Sequence, residues 1–280
     1  MPKYFFMPGS SDITQGTQGV ICGETAHHMQ NVLRMQPGDN AILCDGNGTD
    51  YTAVLVEFDK KAKPPSAVFE VTGSYPCETE PRTKITLYQA MPKGDKMELV
   101  IQKCVEIGVA AIVPVITSRT IARAKEFEKK TLRYRRIAES AAGQSMRGIV
   151  PNVCEAISFK DALEMCAAEL TLVAYEEEKA VALKSVLESK KVLIPRQKFA
   201  QQTFATPLKR GIETPSLTND LIGVSIDSVD IWIGPEGGFA KEEIQALKNR
   251  GATPVSLGAR ILRTETAAIT AVAQVICLLE

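Results

Sequence analysis

The chain has 280 residues, of which 45% are hydrophobic and 24% charged, so it is long enough to bury a sizeable core and exceeds one average domain. It has no run of the roughly 20 apolar residues that a membrane helix requires, and its start, MPKYFFMPGSSD, lacks a signal-peptide pattern. We therefore expect a cytoplasmic protein with no membrane partner. The seven cysteines never fall as CxxC or CxxH, which argues against disulfides and against a metal site.

The charges are unevenly distributed along the chain. The 33 Lys and Arg balance the 33 Asp and Glu, and a neutral total by itself argues against a polyanionic partner. However, residues 82–150 hold 14 basic and 6 acidic side chains, whereas residues 1–74 hold 5 and 8. The neutral total hides a basic third, where we expect nucleic acid to bind.

Residues 1–74 show short apolar runs separated by turn residues. The runs are KYFFM, GVICG, AILCD, YTAVLVEF and AVFEV. They predict a small β-barrel or sandwich, interrupted by one helix from Glu24 to Met35. The stretch GSYPCETEPR (73–82) has no periodicity and predicts a linker, so we place the domain boundary there.

From residue 82 onward, predicted strands alternate with predicted helices. The predicted strands are ITLYQAM, AAIVPV, LTLVAY, VDIWIG and TPVSL. This alternation predicts a parallel α/β sheet. Residues 189–228 break the rhythm and predict a surface insertion or a disordered segment. The last helix has only Thr270 and Gln274 as polar residues between Ala267 and Leu279, which predicts burial on most sides, in a core or against a second subunit.

Two glycine-containing loops each follow a predicted strand. They read Ile233-Gly234-Pro235-Glu236-Gly237-Gly238 and Leu257-Gly258-Ala259-Arg260-Ile261-Leu262-Arg263-Thr264-Glu265-Thr266. In open α/β sheets, ligands bind at the carboxyl ends of strands, and glycine lets the backbone approach them closely. The loops therefore predict one pocket. Because neither matches GxGxxG or GxxxxGK(S/T), a dinucleotide site or a P-loop is disfavoured.

These loops resemble the cofactor-binding knot of the SPOUT methyltransferases. IGPEGGF followed by LGARILRTETA is similar to the family that methylates N3 of a uridine in small-subunit (16S) ribosomal RNA. HHMQNVLRMQPGD and KGDKMELVIQKCVEIGVAAIVPVITSRT resemble two further segments of that family. The resemblance extends over nearly the whole chain.

The resemblance implies an α/β fold with two domains. A PUA-like β-barrel RNA-binding domain would occupy residues 1–74, and a knotted, parallel-sheet SPOUT methyltransferase domain residues 82–280. It also implies a homodimer, S-adenosylmethionine as cofactor, and 16S rRNA or the small ribosomal subunit as partner. Two alternatives stay open: a knot methyltransferase with another target, such as a ribose 2′-hydroxyl, and a non-catalytic RNA-binding protein.

The resemblance also assigns residues to the cofactor pocket. Backbone groups there would pair with the adenine, and aliphatic side chains would cover its faces. The lining residues would be Ala174, Tyr175, Ile233, Gly234, Gly238, Leu257, Gly258, Ile261, Leu262 and Arg263. For Ile261 and Leu262, simple core packing is the alternative.

The implied chemistry is transfer of a methyl group to a nitrogen that first loses its proton. A nearby cation favours the deprotonated imide, and a carboxylate accepts the proton. The catalytic candidates are therefore Glu236, Arg263 and Glu265. For Glu236 the alternative is to cap the helix that begins near Ala240, and positioning alone is an alternative to general-base catalysis.

Basic side chains supply the candidate RNA contacts, because phosphates bind Lys and Arg. The candidates are Arg34, Lys93, Lys96, Lys103, Arg119 and Arg147. Arg34 belongs to the VLR segment of the acidic barrel, whereas the others lie in the basic third. For His27 and His28 we expect helix packing, since adjacent helical residues point in different directions and do not bind one metal together. Trp232 is expected in the core.

Overall fold

The computed structural model describes residues 3–5, 16–59, 61–120, 124–190, 192–195, 221–224 and 226–280. Two larger sheets are formed by these residues, the first from strands near the start of the chain and the second from strands after residue 83. The second sheet is parallel throughout its described pairings, as the alternation of strands and helices predicts.

The first sheet has five described strands in the order β1-β3-β4-β5-β2. The strands are β1 (Lys3–Phe5), β2 (Gln18–Cys22), β3 (Asn40–Cys44), β4 (Thr49–Asp59) and β5 (Ser66–Pro76). Neighbouring strands are antiparallel except β1 and β3. Buried and exposed residues alternate along β2, so one face of this strand packs on a core of its own that includes Leu43, Leu55 and Phe69.

The helix of this region is shorter than expected. Helix α1 spans Glu24–Asn31 and does not reach Met35, because Arg34 has φ +54°, which a right-handed helix does not accommodate. Packing through His27 and His28 is also wrong, since both are exposed while Ala26 and Met29 are buried.

The second sheet has the order β14-β10-β13-β6-β7-β8, with β9 also pairing with β7. Its strands are β6 (Lys84–Ala90), β7 (Ala111–Ile116), β8 (Asn152–Val153), β9 (Ile157–Ser158), β10 (Leu170–Ala174), β13 (Ser228–Ile233) and β14 (Thr253–Val255). The helices are α2 (Lys96–Ile107), α3 (Ala124–Gln144), α4 (Phe159–Met165), α5 (Leu183–Lys190), α6 (Lys241–Asn249) and α7 (Thr264–Leu279). Strand β13 is buried from Val229 to Ile233, as expected of a central strand covered on both faces.

The helices cover the second sheet in two layers. Buried residues of α2, α3, α5 and α7 form one core with one face of the sheet, and those of α4 and α6 form another with the opposite face. The expected core position of Trp232 is confirmed: it is fully buried and stacks on Tyr88 with ring centroids 4.5 Å apart. Helix α7 is buried along one face through Ala268, Val272 and Val275, while Cys277 on another face is exposed.

A largely buried polar cluster joins the first sheet to the loop between α3 and β8. The Lys3 ammonium bonds Asp50 Oδ2 at 2.8 Å and the Met146 carbonyl at 3.1 Å, and Gly48 N–H donates to the Gly148 carbonyl at 3.0 Å. The expected linker at 73–82 is wrong in its first part, because β5 continues to Pro76. A strand of the first sheet therefore runs almost to the start of the second.

Most of the predicted insertion at 189–228 lies outside the described residues. Within it, β11 (Val192–Pro195) and β12 (Leu221–Val224) pair antiparallel. None of the described helices has both the length and the apolarity needed to cross a membrane. The seven cysteines are free, and two of them, Cys44 and Cys104, are buried.

Candidate functional site

The loops that follow the parallel strands meet at the carboxyl edge of the second sheet. Because β10, β13 and β6 are adjacent, the loop after β13, which begins at Gly234, lies between the loops after the other two strands. The loop after β14 precedes α7. This edge is where open α/β sheets bind ligands, and it holds both glycine-containing loops identified in the sequence.

One hydrogen bond joins the two glycine loops. Thr264, the first residue of α7, donates its hydroxyl to the Gly234 carbonyl at 2.6 Å. Gln89, at the end of β6, donates to Thr264 Oγ1 at 3.0 Å and to the Ala90 carbonyl at 2.8 Å. Thus β6, the loop after β13 and the start of α7 are connected through two buried side chains.

Gln89 and Thr264 were not singled out from the sequence as site residues. The Gln89 side chain is fully buried, and its Oε1 has no hydrogen-bond partner in the described part of the chain. The available signal was a lone amide in the apolar run ITLYQAM. A buried amide needs partners, and that requirement places Gln89 in a polar contact between elements.

Two glycines adopt conformations that the loops require. Gly238 has φ +66°, and an added Cβ would collide with the Glu176 carboxylate. Gly258 has φ +127°, with open space where a Cβ would point, and its N–H donates to Ser256 Oγ at 3.3 Å. Side chains other than hydrogen are strained at such angles. Gly258 therefore leaves an exposed stretch of backbone uncovered, whereas the buried Gly238 lets the Glu176 carboxylate pack closely against the loop.

Two carboxylates and one ammonium cluster beside these loops. Lys96 Nζ lies 2.6 Å from Glu236 Oε1 and 3.9 Å from Glu265 Oε2, and the Lys93 N–H donates to Glu236 at 3.1 Å. Partial burial alone would raise the pKa of Glu236, but the hydrogen bonds from Lys96 and the backbone hold that pKa below its ordinary value. Glu236 is therefore a stable anion and a weak proton acceptor.

Glu265 has different surroundings from Glu236. Its side chain is 12% exposed, and Oε2 is buried without a hydrogen-bond partner among the described residues. This oxygen lies 3.9 Å from Lys96 Nζ, so it faces a positive charge without a direct hydrogen bond to it. The alternative of Glu236 as a helix cap is wrong, because Glu243 accepts the Ala240 N–H at 2.8 Å.

The loop after β7 is fastened to the loop after β13. Arg119 donates to the Gly237 carbonyl, and the Ser118 N–H donates to Glu243 Oε1 at 2.8 Å. Arg119 is exposed, so its guanidinium lies at the rim of the same edge.

The remaining expected lining residues lie at this edge with different exposures. Ala174 is the last residue of β10 and Tyr175 follows it. The Tyr175 hydroxyl donates to Glu177 at 2.7 Å, and this bond raises the tyrosine pKa to about 12. Ile233 is buried, whereas Leu257 and Leu262 are half-buried. Ile261 is 88% exposed, which rules out core packing for this side chain.

Arg263 is the N-cap residue of α7, and its side chain is exposed. It forms no side-chain hydrogen bond or ion pair that involves a described residue. The guanidinium is therefore free to meet an anion that approaches the start of α7. Four of the basic residues expected to contact RNA are similarly accessible or half-buried: Arg34, Lys93, Lys96 and Lys103.

The position of Arg147 contradicts the expectation that this residue contacts RNA. It is only 3% exposed, and its guanidinium donates to Glu80 at 3.2 and 2.7 Å and to the carbonyls of Val105 and Val109 at 3.1 and 2.7 Å. These bonds use four of its five N–H groups. Arg147 fastens the stretch before β6 to the end of α2 and does not offer a phosphate contact.

Within the described ranges, no group of three or more His, Cys, Asp or Glu side chains is arranged to hold a metal ion. The charged groups at the sheet edge include Lys96, Glu236 and Glu265, which cluster together, and the exposed Arg263. These groups can neutralise the charge of a ligand, orient it and exchange protons with it.

Two protein-family models match the chain. A model described as an RNA methyltransferase domain matches residues 78–198 and 184–276. A second, described as an RNA methyltransferase PUA domain, matches residues 21–63. Together the matches include both glycine loops and part of the first sheet.

The chain is similar to proteins of known sequence and structure over nearly its full length. It is 32% identical to the ribosomal RNA small subunit methyltransferase E of Bacillus subtilis, covering 98% of this chain and 96% of the relative. The Neisseria gonorrhoeae protein of that name, solved with S-adenosyl methionine, matches with a TM-score of 0.76 at 30% identity, covering 99% and 98% of the two chains. A putative methyltransferase from Legionella pneumophila, solved with SAM, matches with a TM-score of 0.74 at 27% sequence identity. The match covers 98% of this chain and 96% of the Legionella chain.

Proposed function

The chain belongs to the RNA methyltransferase family that includes ribosomal RNA small subunit methyltransferase E, and from this membership we propose that it methylates N3 of a specific uridine in 16S rRNA. S-adenosylmethionine would be the methyl donor. The observation that carries the proposal is the 2.6 Å bond from Thr264 to the Gly234 carbonyl. It brings the two family motifs, separated in sequence, to one edge of the sheet.

The edge has the chemistry that this cofactor needs. S-adenosylmethionine supplies an electrophilic methyl group on a sulfonium and carries an adenine ring. Ile261 is 88% exposed and stands near Gly258, which has open space beside it, so the loop offers an uncovered apolar surface to an aromatic ring. Ala174, Tyr175, Ile233, Gly234, Gly238, Leu257, Leu262 and Arg263 complete the proposed lining.

Three charged side chains at the edge have separate roles in the proposed reaction. Glu236, held as an anion by Lys96, favours a bound cation electrostatically. Arg263 stabilises the imide anion of uracil and so lowers the cost of losing the N3 proton. Glu265, with one oxygen free of hydrogen bonds, accepts that proton.

The proposal also includes the arrangement of the domains. Residues 1–74 form a PUA-like barrel that holds RNA, and residues 82–280 form the methyltransferase domain with its trefoil knot. Arg34, Lys93, Lys96, Lys103 and Arg119 contact the RNA backbone. A homodimer forms with the incompletely buried face of α7 against a second copy.

Mapping of modified nucleosides tests the target directly. Small-subunit rRNA from cells with and without the protein is digested and analysed by mass spectrometry for methylated uridines. We expect one N3-methyluridine to disappear in the absence of the protein. Loss of a 2′-O-methyl nucleoside instead would contradict the base target, and no loss combined with no cofactor binding in calorimetry would contradict enzymatic activity.

A further inference from the structure

A groove separates the second half of α2 from the second half of α3. It has a volume of about 540 Å³. Its walls are formed by Gln102, Lys103, Glu106, Arg133, Arg136, Ile137, Ser140, Ala141 and Gln144. We propose that this groove binds the phosphodiester backbone of the substrate RNA, an inference that rests on the proposed function.

The α3 wall is a continuous polar stripe. Arg136, Ser140 and Gln144 are spaced by four residues and therefore lie on one face of the helix. All three are exposed. Guanidinium, hydroxyl and amide groups are common donors to phosphate and sugar oxygens, so this stripe presents a row of donors to one strand.

The cations of the groove are only partly neutralised. Lys103 is paired with Glu106 at 2.9 Å, and Arg133 uses one nitrogen for Glu98 at 2.7 Å. Arg136 has neither an ion pair nor a side-chain hydrogen bond with any residue that the structure describes. An unpaired arginine beside a second, singly bonded one favours an anion with several oxygens.

The groove lies between the site and the first sheet. Helix α2 begins at Lys96, which contacts Glu236, and the lining residues start about 10 Å further along this helix, given its rise per residue. At the other end of the groove, α3 packs on β1, since a Cβ on Gly143 would lie 3.6 Å from the Lys3 carbonyl. A strand that reaches from the reacting base toward the barrel passes along this groove.

The composition of the groove favours RNA over a protein partner. Protein interfaces have an apolar centre, whereas the apolar lining here is limited to Ile137 and the buried Ala141. The other lining residues are polar or charged. The salt dependence of binding distinguishes phosphate contacts from other contacts, because each neutralised phosphate releases counterions.

The experiment measures binding of single-stranded oligouridylate at several salt concentrations. Wild type is compared with Arg136→Glu, Arg136→Gln and the control Lys184→Glu, which changes an exposed lysine of α5 outside the groove. We expect both Arg136 variants to weaken binding several-fold to about tenfold and to reduce the slope of log K against log salt by about 1. Lys184→Glu leaves the slope near the wild-type value.

Glu106→Gln is expected to change oligouridylate binding in the opposite direction. Removing this carboxylate frees Lys103, so we expect tighter oligouridylate binding and a steeper slope. An unchanged slope in the Arg136 variants would overturn the groove as an RNA site. The proposed function fails separately, through absence of methylation or of S-adenosylmethionine binding in wild type.

Discussion

Arg263 and Arg147 are arginines of the same domain with opposite surroundings. Arg263 is exposed at the start of α7, with its backbone as the helix cap, whereas Arg147 is buried against Glu80. Truncating an exposed side chain rarely alters stability, but removing one partner of a buried pair leaves the other charge uncompensated. The two residues therefore allow function and folding to be tested apart.

Arg263→Ala is expected to abolish methylation of the substrate rRNA while the protein stays folded. The guanidinium is the cation closest in sequence to the proposed proton acceptor, and no described side chain depends on it. Methyl transfer from radiolabelled cofactor and the thermal midpoint should be measured on the same preparation. Near-normal turnover would remove Arg263 from the mechanism.

Arg147→Ala is expected to destabilise the protein by about 3–5 kcal/mol, since it leaves the Glu80 carboxylate without its cation. Arg136→Ala, an arginine truncation at an exposed position, is the matched control and should leave the free energy of unfolding within about 0.5 kcal/mol of wild type. Denaturant unfolding measures both values. Equal stability of the two variants would contradict a structural role for Arg147.

The same pair predicts a dependence of stability on pH. Burial alone would raise the pKa of Glu80, but hydrogen bonds from Arg147 and from the Gly148 and Ile149 N–H groups bring that pKa below its ordinary value of 4.5. The folded state then binds a proton less readily than the unfolded state, so this contribution is present above pH 4.5 and is lost as the pH falls through the folded pKa. When the pH is lowered from 5 to below the folded pKa of Glu80, the free energy of unfolding should therefore fall more in wild type than in Glu80→Gln. Denaturant titrations at each pH measure this free energy.

At the scale of elements, the loop after β13 depends on the conformation of Gly238. Gly238→Ala combines the strain of φ +66° with a collision at Glu176, whereas Gly251, with φ +87°, has open space where its Cβ would point. Gly251→Ala is thus a control for strain alone. Gly251→Ala should lose about 1–2 kcal/mol of stability from strain alone, and Gly238→Ala should lose more because of the added collision.

Because only Gly238→Ala introduces a collision, the two variants should differ in their affinity for S-adenosylmethionine. Calorimetry with S-adenosylmethionine should show weaker binding for Gly238→Ala and near-wild-type binding for Gly251→Ala, because the latter lies after α6 and away from both glycine loops. Identical affinities in the two variants would indicate that the loop around Gly238 does not contact the cofactor.

At the scale of the whole molecule, α7 is the element that we propose to bury against a second copy. Its Ala268, Val272 and Val275 pack in the core of the chain, while Ala273 is only half-buried. An arginine at a closely packed interface cannot be accommodated without desolvating its charge. Ala273→Arg should therefore yield a folded monomer.

Light scattering coupled to size-exclusion chromatography measures this outcome. Gln245→Arg places the same charge on an exposed face of α6 and should leave the mass unchanged. A dimeric mass for Ala273→Arg would place the interface elsewhere, and a monomeric wild type would contradict the homodimer itself.

The sequence by itself determined the class of fold and the identity of the two loops. Alternation of apolar strands with amphipathic helices has one common outcome, a parallel sheet, and parallel strands bring their following loops to one edge. The family motifs are short runs of consecutive residues, so they can be recognised from the sequence without the structure. For the same reason, the boundaries of β6, β13 and α7 were expected within three residues of where they lie.

Only the tertiary structure decided what individual polar side chains do. Arg147 is expected at a surface from its charge, and its burial depends on Glu80, which is distant along the chain. Gln89 and Thr264 are separated by even more residues and meet only because β6 and α7 pack together. Hydrogen bonding and burial depend on partners brought together by folding, whereas strand and helix periodicity depends on neighbours in sequence, which is why the periodicity alone was predictable.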